Sequence, residues 1–181
     1  MSITLKLATK EDCNLIWKIQ VKAFSQLLLK YQDHDSNPAA ESPERVIQRF
    51  EQSFTDYYLI MLDEEPIGML RVCDFGENCR LSPLCILPEH NGKGYAQKAM
   101  LVMESLYPKA KKWELDTISQ EDKLCHLYKK MGYQKTGRTE HLKEGMDLTF
   151  YEKIMHKSDS GRGSLFLFEQ LLQFEFVIMR Q

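Results

Sequence analysis

Apolar and polar positions alternate over residues 3–8 (I-T-L-K-L-A), which predicts a short strand. A helix over 10–29 follows, opened by Thr9 and Asp12 at capping-box spacing. It carries Ile16, Ile19, Ala23 and Leu27 on one face, with Trp17, Val21, Phe24 and Leu28 beside them. So wide an apolar arc belongs against a sheet. After a polar loop with Asn37-Pro38, Ser42-Pro43-Glu44 places a cap and an N1 proline at the start of a second helix, 43–53. Residues 56–62 and 66–75 are β-rich runs joined by Asp63-Glu64-Glu65. The next strand, 79–87, contains Pro83, which cannot donate a ladder hydrogen bond, so its middle is expected to be bulged or unpaired.

The turn Asn91-Gly92-Lys93-Gly94 opens a helix to residue 106, with Ala96, Ala99, Met100, Met103 and Leu106 at helical spacing. A strand over 112–118 and a helix over 121–131 come next, the helix carrying Leu124, Leu127, Tyr128 and Met131 on one stripe and ending at Gly132. Strands over 133–139 and 146–155 complete an α/β (α+β) array in one domain, residues 1–157. Residues 158–164 (S-D-S-G-R-G-S) read as a linker, and 165–179 are strongly apolar. That tail fits an amphipathic helix and, over 172–178, a strand equally well. Its apolar side needs a partner surface, and a homodimer is one way to supply it.

Hydrophobic residues at 43% and charged residues at 28% describe an ordinary globular chain, not a fibrous or disordered one. With 24 basic against 26 acidic residues it lacks the basic field of a nucleic-acid binder. Five cysteines (Cys13, Cys73, Cys79, Cys85, Cys125) without a C-x-x-C pair read as reduced thiols of a cytoplasmic protein. No apolar h-region starts the chain, and no stretch is long enough to span a membrane. The histidines (His34, His90, His126, His141, His156) show no metal-ligand spacing, so no metal is expected.

The most informative stretch is 84–99, where a strand runs through two glycines into a helix N-terminus. The first N–H groups of a helix lack intrahelical partners and favour an anion. Glycines at 92 and 94 let main chain approach phosphate oxygens, although they equally fit a plain tight connection. The G-x-x-x-x-G-K-[ST] pattern is absent, and a dinucleotide fingerprint would lack its third glycine.

The run I-L-P-E-H-N-G-K-G-Y-A resembles the acetyl-CoA-binding motif of the GNAT N-acetyltransferase superfamily, Q/R-x-x-G-x-G/A. Asn91 takes the Q/R place, Gly94 the central glycine and Ala96 the last position. Asn91 is shorter than Gln or Arg and uncharged, a departure that leaves phosphate contact to the backbone. A second block, L-Y-K-K-M-G-Y at 127–133, is similar to the family's L-Y-x-x-x-G-F segment, and the resemblance covers residues 3–155. Where the family often carries Asn before this helix, the chain has Glu121.

The resemblance implies a mixed, mostly antiparallel sheet flanked by helices, with strand 82–87 splayed from strand 112–118 to form a V-shaped cleft for acetyl-CoA. Pro83 agrees with it, because a splayed strand needs an interrupted ladder. Pantetheine amides would pair with main chain of Leu84, Cys85 and Ile86. The pyrophosphate would rest on Gly92, Lys93, Gly94, Tyr95, Ala96 and Gln97, and an N–H near Ile86 or Leu87 would polarise the thioester carbonyl.

The L-Y-x-x-x-G match makes Tyr128 the candidate proton donor to the departing thiolate, although its place on the inward stripe also fits a core tyrosine. Glu114 and Asp116 share a strand face, and Asp116, nearer the opening, is the candidate base; both also fit a solvated face. Cys85 shows no basic partner, which favours direct transfer over an acyl-cysteine. Residues 90–112 hold five lysines against Glu104 alone, and 31–65 nine acids against two arginines. An anionic cofactor suits the first segment and a cationic amine the second. In the loop 30–38, where the family shapes its acceptor site, Tyr31, Asp33 and Asp35 are the expected substrate contacts. The function expected is transfer of acetyl from acetyl-CoA to a small, cationic primary amine. A peptide or protein N-terminal acetyltransferase and a non-catalytic CoA-binding module are the alternatives.

Overall fold

In the computed structural model, which describes residues 2–156, seven strands form one open sheet. They are β1 (Ile3–Leu7), β2 (Thr55–Leu62), β3 (Glu65–Asp74), β4 (Asn78–Ile86), β5 (Lys112–Ile118), β6 (Gln134–Lys143) and β7 (Met146–Ile154). The order is β1-β2-β3-β4-β5-β7-β6, antiparallel throughout except for the parallel β4–β5 pair. Four helices cover it: α1 (Cys13–Tyr31), α2 (Pro43–Phe50), α3 (Tyr95–Leu106) and α4 (Asp122–Lys130).

Both faces are buried at the centre, so the central strands read as continuous apolar runs. On one face Tyr57, Leu59, Met69 and Cys85 pack with Ile16 and Ile19 of α1 and Val46 of α2. On the other, Tyr58, Ile60, Leu70, Val72, Leu81, Trp113, Leu115 and Tyr151 meet Ala99, Met100 and Met103 of α3 and Tyr128 of α4. Residues 10–12 form a 3-10 turn ahead of α1, where the Thr9 N–H donates to the Asp12 carboxylate at 2.9 Å. The helix then runs two residues past the expected end, until Gln32 turns left-handed (φ 49°) and its N–H closes on the Leu28 carbonyl. The second helix stops at Phe50, short of residue 53, and β6 extends to Lys143, beyond residue 139.

The interruption expected at Pro83 is present: the β3–β4 register slips between Leu70↔Leu84 and Val72↔Leu81, leaving Ser82 and Pro83 in a bulge. The Arg71 side chain fills the break, donating from Nε to the Ser82 carbonyl. Among the described residues no helix is long and apolar enough to cross a membrane, and no group of three or more His, Cys, Asp or Glu could hold a metal ion. The expected linker and apolar tail, residues 158–181, lie outside the described residues.

Gly68 on β3 sets the height of β4. A Cβ there would overlap the Cys85 carbonyl oxygen and stand 3.1 Å from Ile86 Cα, both main chain of the strand that lines the cleft. Gly68→Ala is therefore expected to destabilise the fold by about 1–3 kcal/mol, as overpacking does, and to weaken CoA binding by displacing residues 84–86. Urea unfolding and CoA titration measure the two effects; unchanged values for both would mean that β4 can move without consequence.

Candidate active site

Strands β4 and β5 pair over only three positions, Asn78↔Lys112, Cys79↔Trp113 and Arg80↔Glu114. Beyond them β4 stays on β3 while β5 stays on β7 up to Ile118↔Leu148, so the two part and leave a V-shaped gap. The bulge at residues 82–83 lies just past the last β4–β5 pair, at the point of divergence.

Strand alternation decides which main-chain groups face that gap. The Leu87 N–H donates to the Ile67 carbonyl at 2.8 Å, and Cys85 stands in the same phase opposite Met69. Cys85 thus turns its main chain to β3, and Leu87 gives its N–H to β3 and its carbonyl to the His90 N–H (2.9 Å), which corrects the expectation that they face the cofactor. Leu84 and Ile86 turn theirs to the open side. The Cys85 side chain packs among α1 and α2, and burial pushes its thiol up to about 12. Such a thiol is no nucleophile at neutral pH.

At the end of β4 a 3-10 turn over residues 88–90 leads into the glycine loop, with Gly92 and Gly94 both at φ +78°. No side chain but glycine adopts that conformation freely, and Gly94 serves as the N-cap of α3. The Lys98 N–H is the first to return to the helix, at the Gly94 carbonyl. Among the described residues, the N–H groups of Gly92, Lys93, Gly94, Tyr95, Ala96 and Gln97 meet no acceptor. Six consecutive unpartnered donors at the positive end of a helix form an anion cradle. The Asn91 side chain is exposed and makes no hydrogen bond among the described residues; the Lys93 ammonium reaches back to the Glu89 carbonyl at 3.1 Å.

Tyr128 comes from α4 and lies between the arms, 8% exposed, with the Tyr133 and Tyr151 rings at 6.3 and 6.1 Å. Its hydroxyl has no hydrogen-bond partner among the described residues. Burial raises its pKa, followed by the charges of Asp116 on β5, Cys125 and Cys85 on β4. The phenol therefore stays protonated throughout the neutral range. Asp116, on the opposite face of β5 from Trp113 and Leu115, is paired with the Arg80 guanidinium of β4. Nothing in the local pattern around Arg80 singles it out as this partner.

The three expected acceptor contacts separate. Asp33 is 7% exposed and closes its own turn, accepting from the N–H groups of Asp35 (3.2 Å) and Ser36 (3.0 Å) and from the Ser36 hydroxyl. Burial alone would raise its pKa, but these donors and Lys143 hold it below the usual value. Asp33 is thus a loop-shaping residue and is corrected as a substrate contact. Asp35 is exposed. The Tyr31 hydroxyl donates to Glu121 Oε1 at 2.6 Å, and the Lys30 ammonium reaches the same oxygen at 2.5 Å. Glu121, noted in the sequence only as a departure from Asn, thus joins the end of α1 to the start of α4.

A sequence model of the acetyltransferase (GNAT) family matches residues 16–133. Among curated proteins none matches the chain by sequence. By structure it is similar to an acetyltransferase from Thermus thermophilus, at 18% identity and TM-score 0.67 over 86% of this chain and 98% of that one. It is similar also to the spermidine N-acetyltransferase of Vibrio cholerae solved with CoA and spermine (17%, TM-score 0.66, 84% and 95%). A third is the ribosomal-protein-S18-alanine N-acetyltransferase of Escherichia coli (10%, TM-score 0.68, 86% and 97%). With the family model covering most of the parted-strand domain, the chain belongs to the GNAT acetyltransferase family and is an acyltransferase.

Proposed function

We propose that this enzyme moves an acetyl group from acetyl-CoA to a small, cationic primary amine by direct transfer in a ternary complex. The observation that carries the reading is the gap between β4 and β5, edged by the free main chain of Leu84 and Ile86 and ending at the six unpartnered N–H groups of residues 92–97. That arrangement fits a pantetheine diphosphate: strand-like amides along β4, an anion on the cradle. Acetyl-CoA supplies the activated thioester when bound.

In this reading the Ile86 N–H is the donor for the thioester carbonyl oxygen, in place of Leu87. Tyr128 gives its phenolic proton to the sulfur as the C–S bond breaks and the C–N bond forms, and recovers one from solvent. Asp116, whose carboxylate is engaged by the Arg80 guanidinium, serves the scaffold in this reading rather than taking the amine's proton. The amine's proton leaves to water, and the Arg80–Asp116 pair holds the arms together where they diverge. The excess of acids over residues 31–65, nine against two arginines, supports a cationic acceptor.

CoA at 100 times its Kd should stabilise the protein by about 2.7 kcal/mol. Thermal denaturation with and without CoA checks this, and release of free thiol with a panel of amines identifies turnover. No shift at saturating CoA would sink the cofactor assignment; a shift without turnover of any amine would leave a CoA-binding module.

A further inference from the structure

We infer that Arg71 is a positioning residue for acetyl-CoA: its guanidinium holds the bulge of β4, and with it the free main chain of Leu84 and Ile86, where a pantetheine arm can pair with them. The inference deepens the function proposed above and rests on it.

The β3–β4 ladder leaves one residue of β3 facing two of β4. Leu70 pairs with Leu84 and Val72 with Leu81, so Arg71 stands opposite both Ser82 and Pro83. A two-against-one bulge disrupts the ladder locally and bends the bulged strand. Pro83 has no N–H with which to restore a bond. The Arg71 Nε donates instead to the Ser82 carbonyl. A side chain thus takes over from main chain at the register shift between β3 and β4.

Its surroundings set this arginine apart from its neighbours. Arg49 and Arg80 are each paired with a carboxylate, Glu41 and Asp116, whereas Arg71 forms no ion pair among the described residues. It has a bonded carbonyl on one side and an aromatic ring on the other. The guanidinium carbon lies 6.0 Å from the centre of the Tyr57 ring, which stands at the paired position on β2. Tyr57 is 1% exposed and stacks on Phe50 of α2 at 6.4 Å, so the ring is a fixed platform. A planar guanidinium held in this way loses less freedom per hydrogen bond than an ammonium would.

Location gives the contact its consequence. The last β4–β5 pair is Arg80↔Glu114, and Ser82 follows two residues later. From there β4 has β3 alone as its neighbour in the sheet, and Leu84 and Ile86 turn their main chain to the gap. A one-residue slip of β4 on β3 would turn Cys85 to the gap in their place. The Arg71 contact therefore fixes the phase of β4 as well as its height.

The test uses the full chain with two substitutions. Arg71→Met keeps the apolar stem and removes the donor; Arg71→Lys keeps the charge and a donor but loses the planar fork. Each is titrated calorimetrically with CoA and with ADP, a diphosphate that has no pantetheine arm. In Arg71→Met, CoA affinity should fall about tenfold, the weight of one charged hydrogen bond, while ADP binds as it does to wild type. Arg71→Lys should recover part of the CoA loss. KM for acetyl-CoA should rise in the same order, with KM for the amine unchanged. In the ligand-free protein, amide hydrogen exchange over residues 79–87 should quicken in Arg71→Met. A simple attraction between cation and anion would instead weaken both ligands in Arg71→Met and neither in Arg71→Lys, and that result overturns the inference. Unchanged CoA affinity in Arg71→Met, or unchanged exchange over 79–87, overturns it as well. If Arg71→Met does not fold, Arg71→Lys decides: CoA affinity equal to wild type is then the overturning result. Wild type that binds no CoA overturns the parent reading, whereas failure confined to the variants overturns this inference alone.

Discussion

Tyr128→Phe is expected to lower kcat by about 10²–10⁴-fold, the contribution of a positioned general acid, with little change in KM for acetyl-CoA. The substitution removes one oxygen from a ring packed beside Tyr133 and Tyr151, and that oxygen bonds to nothing among the described residues. Folding therefore has little to lose, and the thermal midpoint should stay near wild type. The raised pKa of the phenol fixes the sign of the pH dependence. Activity requires the protonated form, so any decline due to Tyr128 falls above the ordinary tyrosine value of 10.0. A variant that retains wild-type kcat would show that the thiolate is protonated from elsewhere.

The second large effect concerns stability. Glu104 of α3 is a buried carboxylate, held by the Lys153 ammonium of β7 at 2.6 Å and the Tyr133 hydroxyl at 3.1 Å. Burial raises its pKa, with Lys153 and Tyr133 opposing. Lys153→Met strands the charge and should cost about 3–5 kcal/mol at pH 7. A carboxyl whose pKa is raised by folding favours the native state when protonated. That contribution is fully present below its unfolded value and is lost as pH rises through the native value. Without Lys153 the native value rises further, so the deficit of the variant should grow from pH 4.5 to pH 7.5. Urea unfolding at the two pH values checks this. Lys153→Met combined with Glu104→Gln should recover much of the loss, since no charge then remains to be stranded; an equal deficit in single and double variants would assign the effect to lost packing.

Much of the scaffold was legible because it depends on local pattern. Alternation located the strands, Pro83 announced the bulge where β4 leaves β5, and Gly92 and Gly94 marked the turn whose N–H groups stay free. Features set by distant partners were not legible. Glu121 meets Lys30 and Tyr31 across ninety residues of chain, and Arg80 meets Asp116 only because β4 and β5 run side by side before they part. The choice of Leu84 and Ile86 over Cys85 and Leu87 depends on the phase of a strand, which a one-residue shift reverses. Asp33 looked like an acceptor contact because Asp in a polar loop suits either task; its neighbours Asp35 and Ser36 decide for the turn.

Three residue pairs between β4 and β5 have a mechanical corollary. The sheet is two leaves on a short spine, β1 to β4 with α1 and α2, and β5 to β7 with α4, while α3 spans both and is tied to β7 through Glu104 and Lys153. The free N–H groups of residues 92–97 stand on the first leaf and the Tyr128 hydroxyl on the second, so in the function proposed above the spine sets the separation between grip and proton donor. A molecule lying between the leaves would act as a splint, adding to the Arg80–Asp116 and Glu104–Lys153 pairs that already join them.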